Sequence, residues 1–93
     1  MRIISMIFVI KLSKVNSLKE KRNFSKFFIN YIRKNANVSI SEVGSKNIRK
    51  ILTLGIVSVS SEKTILEQLF FKVSKFIENA KNIEIISNEM ELL

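Results

Sequence analysis

The stretch Ser17-Leu18-Lys19-Glu20-Lys21-Arg22 carries the densest charge in the chain, with residue types that can act on an anion. With Ser17 just ahead of a first helical turn, its hydroxyl accepts from the Glu20 amide and the Glu20 carboxylate reaches back to the Ser17 amide, a capping box. That reciprocal pair satisfies two amides that a helix start would otherwise orphan, so Ser17 and Glu20 have a complete structural explanation. Lys19, Lys21 and Arg22 do not, because the positive end of a helix dipole disfavours cations by roughly 0.3 to 1 kcal/mol each. Free amides, the dipole and cations together suit a phosphate. The plain alternative is a solvated helix start whose charges aid solubility.

Other chemistry is narrowly bounded. The chain contains no Cys, His, Asp, Trp or Pro, which removes disulfides, thiolate and imidazole metal ligands, a cysteine nucleophile and the usual general base. Glu, Lys, Ser, Thr and a single Tyr remain. Glu20 is assigned to capping, Glu42 lies at a strand end, and no second catalytic group pairs with either. We therefore expect no enzymatic activity, no cofactor and no metal.

Charge is distributed unevenly along the 93 residues. Positions 1 to 50 hold twelve cations against Glu20 and Glu42, a net of +10, whereas positions 51 to 93 hold four cations against six carboxylates, a net of −2. The first half is a candidate polyanion surface. A composition 46% hydrophobic and 26% charged is that of a globular chain, and its length fits one domain spanning 1 to 93. The apolar start, Ile3 to Ile10, closes on Lys11 and falls well short of the roughly 20 residues of a membrane span. It also lacks a small-residue cleavage site, so a cytoplasmic protein without membrane contact is expected.

The elements that position these residues follow from hydrophobic periodicity. Residues 3 to 13 read as a strand with Ile4, Met6, Phe8, Ile10 and Leu12 on one face and Ile3, Ser5, Ile7, Val9 and Lys11 on the other. With one face wholly apolar and the other nearly so, it belongs inside its sheet. Residues 18 to 35 fit a helix whose Phe24, Phe27, Phe28, Tyr31 and Asn35 face the sheet. At 100° per residue, Lys19, Arg22, Lys26, Asn30 and Arg33 fall in an arc of about 80° on roughly the opposite side. This basic stripe contains no acid, although Ile29 interrupts it as an exposed apolar group. Residues 37 to 43 alternate as an edge strand, Gly44 to Asn47 supply a turn, and Ile48 to Ser60 form a second central strand. The turn collects Lys46, Arg49 and Lys50 into a second basic cluster. Gly55, in mid-strand, marks a bulge or the close approach of another group.

Ser60 or Ser61 caps a second helix with Glu62 in its first turn and Leu66, Leu69, Phe70, Val73, Ile77 and Ala80 inward. Phe71 lies off that stripe; broader burial of the helix is expected ahead of exposure to a partner. In a final strand over 83 to 92, Ile83, Ile85, Glu89 and Glu91 project one way and Ile86, Met90 and Leu92 the other.

This order predicts an α+β fold, the ferredoxin-like βαββαβ arrangement: a four-stranded antiparallel sheet of order 4-1-3-2 with two helices on one face. The two strands that read as central are the two this order places inside. If the all-apolar side of the first strand meets the helices, Ile3, Ile7 and Val9 face outward beside Ile51, Val57 and Val59. Leaving that patch wet costs about 25 cal/mol per Å², which predicts a homodimer or another partner there.

Four segments together resemble the small bacterial YlxP-like family: Ser17 to Arg22, Val38-Ser39-Ile40-Ser41-Glu42-Val43, Leu54-Gly55-Ile56-Val57-Ser58-Val59 and Glu89-Met90-Glu91-Leu92-Leu93. The resemblance implies a ferredoxin-like fold and, commonly, a gene beside those of translation initiation and ribosome maturation factors. It implies no established activity. After Glu42, where relatives often place polar residues around a tryptophan, this chain has Lys46 to Lys50 with no aromatic. The expected function is binding of structured RNA, with ribosomal RNA as a candidate, by phosphate contacts from Lys19, Lys21, Arg22, Lys26 and Arg33 together with Lys46, Arg49 and Lys50. An RNA-recognition-motif mode is not expected, because the third strand, Ile48 to Ser60, has no aromatics and Phe8 belongs to the apolar face assigned to the core, and Gly44 and Gly55 cannot form a GXXG clamp. The alternative is a homodimeric protein-interaction module whose basic charge is incidental.

Overall fold

A computed structural model describes residues 1–93. The chain runs β1 (Arg2–Leu12), α1 (Leu18–Asn35), β2 (Ser39–Gly44), β3 (Ile51–Ser60), α2 (Lys63–Glu78) and β4 (Ile83–Leu92). All pairings are antiparallel, in the order β2-β3-β1-β4, which is the expected 4-1-3-2 read from the other edge. The fold is α+β, with the βαββαβ element order of the ferredoxin-like arrangement.

β1 is central because it pairs along its length with β3 on one side and β4 on the other. Ile4, Met6, Phe8, Ile10 and Leu12 are at most 1% exposed and point into a core shared with Phe28 and Ile32 of α1 and Leu66, Val73 and Ile77 of α2. Leu52, Leu54 and Ile56 add the inward face of β3, and Phe70 of α2 stacks on Phe8 at 5.9 Å between centroids. Both helices thus share one core with one face of the sheet, and the other face carries no element.

Three side-chain placements depart from the sequence reading. The buried stripe of α1 is Lys21, Ser25, Phe28 and Ile32, while Phe27 and Tyr31 are 69% and 43% exposed. The helix is turned by roughly 75°, at 100° per residue, from the phase its aromatics suggest. Ile29, expected outside, is half-buried against the core. The cause is that two of the four core positions are polar, so counting apolar residues shifts the stripe.

The second departure is in β4. Its register against β1 shifts between Val9 and Ile10, which pair with Ser87 and Ile85, so Ile86 is the extra residue of a bulge. The bulge inverts side-chain parity. Ile83 and Ile85 pack on the core together with Leu92, while Ser87, Glu89 and Glu91 stand opposite Val9, Ile7 and Ser5 on the open face. Third, Phe71 is 66% exposed, so α2 is not buried more broadly.

Smaller differences concern element ends. β3 begins at Ile51, leaving Ile48, Arg49 and Lys50 in the turn, where Ser45 adopts φ 58°. Glu62 is itself the N-cap of α2, without a side-chain cap, and its amide donates to Ser60 Oγ at 3.1 Å. Gly55 marks a close approach: a Cβ there would lie 2.7 Å from Val43 Cγ1.

Candidate nucleic-acid interface

The chain enters α1 through Ser17, whose extended backbone sets it up as N-cap and whose Oγ accepts from the Glu20 amide at 3.1 Å. The return bond differs from a strict capping box. Glu20 Oε1 accepts from the Asn16 amide at 3.4 Å, one residue upstream of the expected donor, while Ser17 Oγ lies 3.5 Å from Oε2. The Glu20 carboxylate is thereby held against the helix start.

One turn into the helix, the expectation that Lys21 is a surface cation is corrected. Lys21 is 1% exposed. Its Nζ lies 3.0 Å from Glu42 Oε2 on β2, and it donates to the main-chain carbonyls of Ser45 and, at 2.8 Å, Ile48. Burying an ammonium is costly unless a counter-charge and acceptors replace its water, and Lys21 has both. Glu42 Oε2 itself is buried without a well-angled hydrogen bond, so the lysine's charge is its compensation. The lysine is a clamp: it fixes the first turn of α1 onto the β2–β3 turn.

The clamp unites two clusters that are remote in sequence. Lys19 and Arg22 flank Lys21 on the helix, while Lys46, Arg49 and Lys50 stand around the carbonyls it grips; all five are exposed. Further bonds lock the corner. Arg49 Nη1 donates to Asn16 O at 3.3 Å, and the Leu12 amide donates to Lys50 O at 2.7 Å. Lys26 and Arg33 extend the stripe along α1, both exposed. Arg33 is pinned toward β2, donating to Asn30 Oδ1 at 3.1 Å and to Ile40 O at 3.3 Å. That bond occupies a carbonyl on an edge strand, a device against edge-to-edge pairing.

The electrostatics of this corner are simple. The chain has two ion pairs, Lys21–Glu42 and Lys75–Glu78, so none of Lys19, Arg22, Lys26, Arg33, Lys46, Arg49 and Lys50 is neutralised by a carboxylate. Both acids of positions 1 to 50 are committed elsewhere, Glu20 to the helix start and Glu42 to Lys21. Seven exposed cations therefore have no carboxylate partner within the chain.

The open sheet face receives the other set of candidates. Pairing of Ile3 with Val59 and of Lys11 with Ile51 puts Ile3, Ile7, Val9, Ile51, Val57 and Val59 on it, with Ile7, Val57 and Val59 at 37%, 44% and 51% exposed. Val43, which the sequence reading left out of this set, joins them at 56% exposed, because the shift in β2 pairing between Glu42 and Gly44 places it over Gly55. Its signal was the mid-strand glycine. A groove of about 420 Å³ between the helices, lined by Phe24, Phe27, Phe28, Tyr31 and Phe76, was also missed, because those aromatics of α1 read as core.

No helix is long and apolar enough to cross a membrane, and no group of three or more His, Cys, Asp or Glu could hold a metal. Compared with known proteins, residues 3–90 match the family model described as "Protein of unknown function (DUF503)". The "Uncharacterized protein YlxP" of Bacillus subtilis (strain 168) is 37% identical over 68 residues, which is 73% of this chain and 74% of that protein.

Proposed function

The chain belongs to the DUF503 family of proteins of unknown function, and from that premise we propose that it is a non-enzymatic RNA-binding protein. The observation that carries this reading is the buried Lys21, which joins the start of α1 to the β2–β3 turn and so assembles one cationic surface from two. Lys19, Arg22, Lys26 and Arg33 hold phosphates along the helix, and Lys46, Arg49 and Lys50 hold them at the turn. Contacts of this kind give affinity and position, with little sequence preference. They also give a steep salt dependence, since each neutralised phosphate releases counter-ions. A ribosomal RNA is the structured target we favour. The test is titration of a labelled RNA hairpin with the natural chain and with Lys19, Arg22, Lys26 and Arg33 all replaced by Gln. The reading predicts affinity reduced by roughly tenfold or more at low salt; undiminished binding overturns it.

A second reading rests on the open sheet face, where Ile7, Val43, Val57 and Val59 leave a contiguous apolar patch uncovered. Patches of this kind mark interaction sites, and a homodimeric interaction module without a nucleic-acid role would use it. Sedimentation at micromolar concentration decides: a dimer that Ile7→Lys converts to monomer supports this reading, and a strictly monomeric natural chain removes it.

A further inference from the structure

The groove between α1 and α2 exposes aromatic ring surface that the core does not use. Phe27 is 69% exposed, and Tyr31, 43% exposed, meets Phe76 edge-on at 5.6 Å between centroids. Phe24 and Phe28 stack on each other at 5.4 Å to form the floor. Asn79 and Lys81 supply the polar lining of this 420 Å³ space. Lys81 also lines the adjoining cavity with Lys14, whose one carboxylate, Glu20, is bonded at the start of α1. The Lys72 ammonium stands 6.0 Å from the centroid of the Phe76 ring. Exposed ring faces with cations at the rim are the recognition chemistry of an unpaired nucleobase and its phosphate: rings stack on a base of any identity, and the cations offset the backbone charge.

We propose that this groove takes an unpaired base of the bound RNA, stacked beside Phe27 and Tyr31, with the adjoining phosphate near Lys81. The proposal rests on the RNA-binding reading and specifies its target as RNA with an unpaired segment. At 100° per residue, the groove side of α1 lies roughly 150° around the helix from the basic stripe. A strand held by the stripe reaches the groove by crossing the helix crest at Asn23 and Lys34, over a helix about 10 to 12 Å across. Duplex RNA presents no free base face and engages the stripe alone.

Tyr31 is the chain's one tyrosine and there is no tryptophan, so intrinsic tyrosine fluorescence reports this groove. The experiment titrates the full chain with an oligouridylate strand and with an RNA duplex of equal phosphate number, following both the tyrosine signal and the anisotropy of labelled RNA. The proposal predicts that the single strand quenches Tyr31 and the duplex does not. It also predicts that Phe27→Ala, at an exposed position, weakens single-strand binding by roughly tenfold with duplex binding and salt slope unchanged. Binding seen by anisotropy without quenching, or an equal effect of Phe27→Ala on both RNAs, overturns the groove proposal and leaves the basic surface standing. Absence of binding to either RNA overturns both, and the groove is then left to a protein segment.

Discussion

Lys21 Nζ and Glu42 Oε2 meet at 3.0 Å between α1 and β2, with the lysine side chain 2% exposed and the glutamate 18%. This pair explains how a motif that is basic in sequence builds a basic surface without spending its most central cation on it. Lys21 holds the corner together, and its neighbours face outward. Because the pair is buried, removing one partner costs far more than removing both.

Lys21→Met strands the Glu42 carboxylate and is expected to lower stability by about 3 kcal/mol. Lys21→Met with Glu42→Leu is expected to recover most of that. The Ser45 and Ile48 carbonyls keep backbone donors, the amides of Ile48 at 3.0 Å and Ile51 at 3.3 Å. Urea unfolding of the natural chain, the single variant and the double variant measures both differences. A single variant as stable as the natural chain shows that the clamp does not form.

The phase of α1 separates two adjacent phenylalanines. Phe28, 3% exposed, is expected to cost about 3 to 5 kcal/mol on truncation to Ala. Phe27, 69% exposed, should cost less than about 1 kcal/mol. Thermal or urea unfolding of the two variants distinguishes this helix phase from the one in which both rings face the sheet.

Ser17 Oγ accepts from the Glu20 amide at 3.1 Å, so Ser17→Ala is expected to lose about 1 kcal/mol. Glu20→Gln retains an acceptor for the Asn16 amide and should lose less. Both values come from the same unfolding measurement, and the opposite ranking would assign the helix start to Glu20.

The order of elements and the position of β1 were legible in the sequence because each rests on period: apolar residues on both faces of 3 to 13, alternation in 37 to 43, and three-and-four spacing in the helices. The glycine at 55 announced a close neighbour, and Val43 is that neighbour. The phase of α1 was hidden because Lys21 and Ser25 occupy core positions, where polar residues contradict the binary pattern until their partners are known. Glu42 lies on another element, and local spacing carries no information about it. The bulge at Ile86 was equally hidden, since one extra residue reverses parity without changing composition. Lys19, Arg22, Lys26 and Arg33 were readable as a stripe, whereas the joining of that stripe to Lys46, Arg49 and Lys50 depends on a tertiary contact of Lys21.

If helix and turn cations act as one RNA-binding surface, both sets enter the slope of log affinity against log salt for a labelled RNA hairpin. Four chains are compared: the natural one, one with Lys19, Arg22, Lys26 and Arg33 replaced by Gln, one with Lys46, Arg49 and Lys50 replaced by Gln, and one with all seven replaced. Each phosphate contact contributes about 0.7 to 0.9 to the slope. Each set is expected to lower the slope by about 2 or more, and the combined variant by about 5 or more. Slopes unchanged in all three variants would contradict the shared surface.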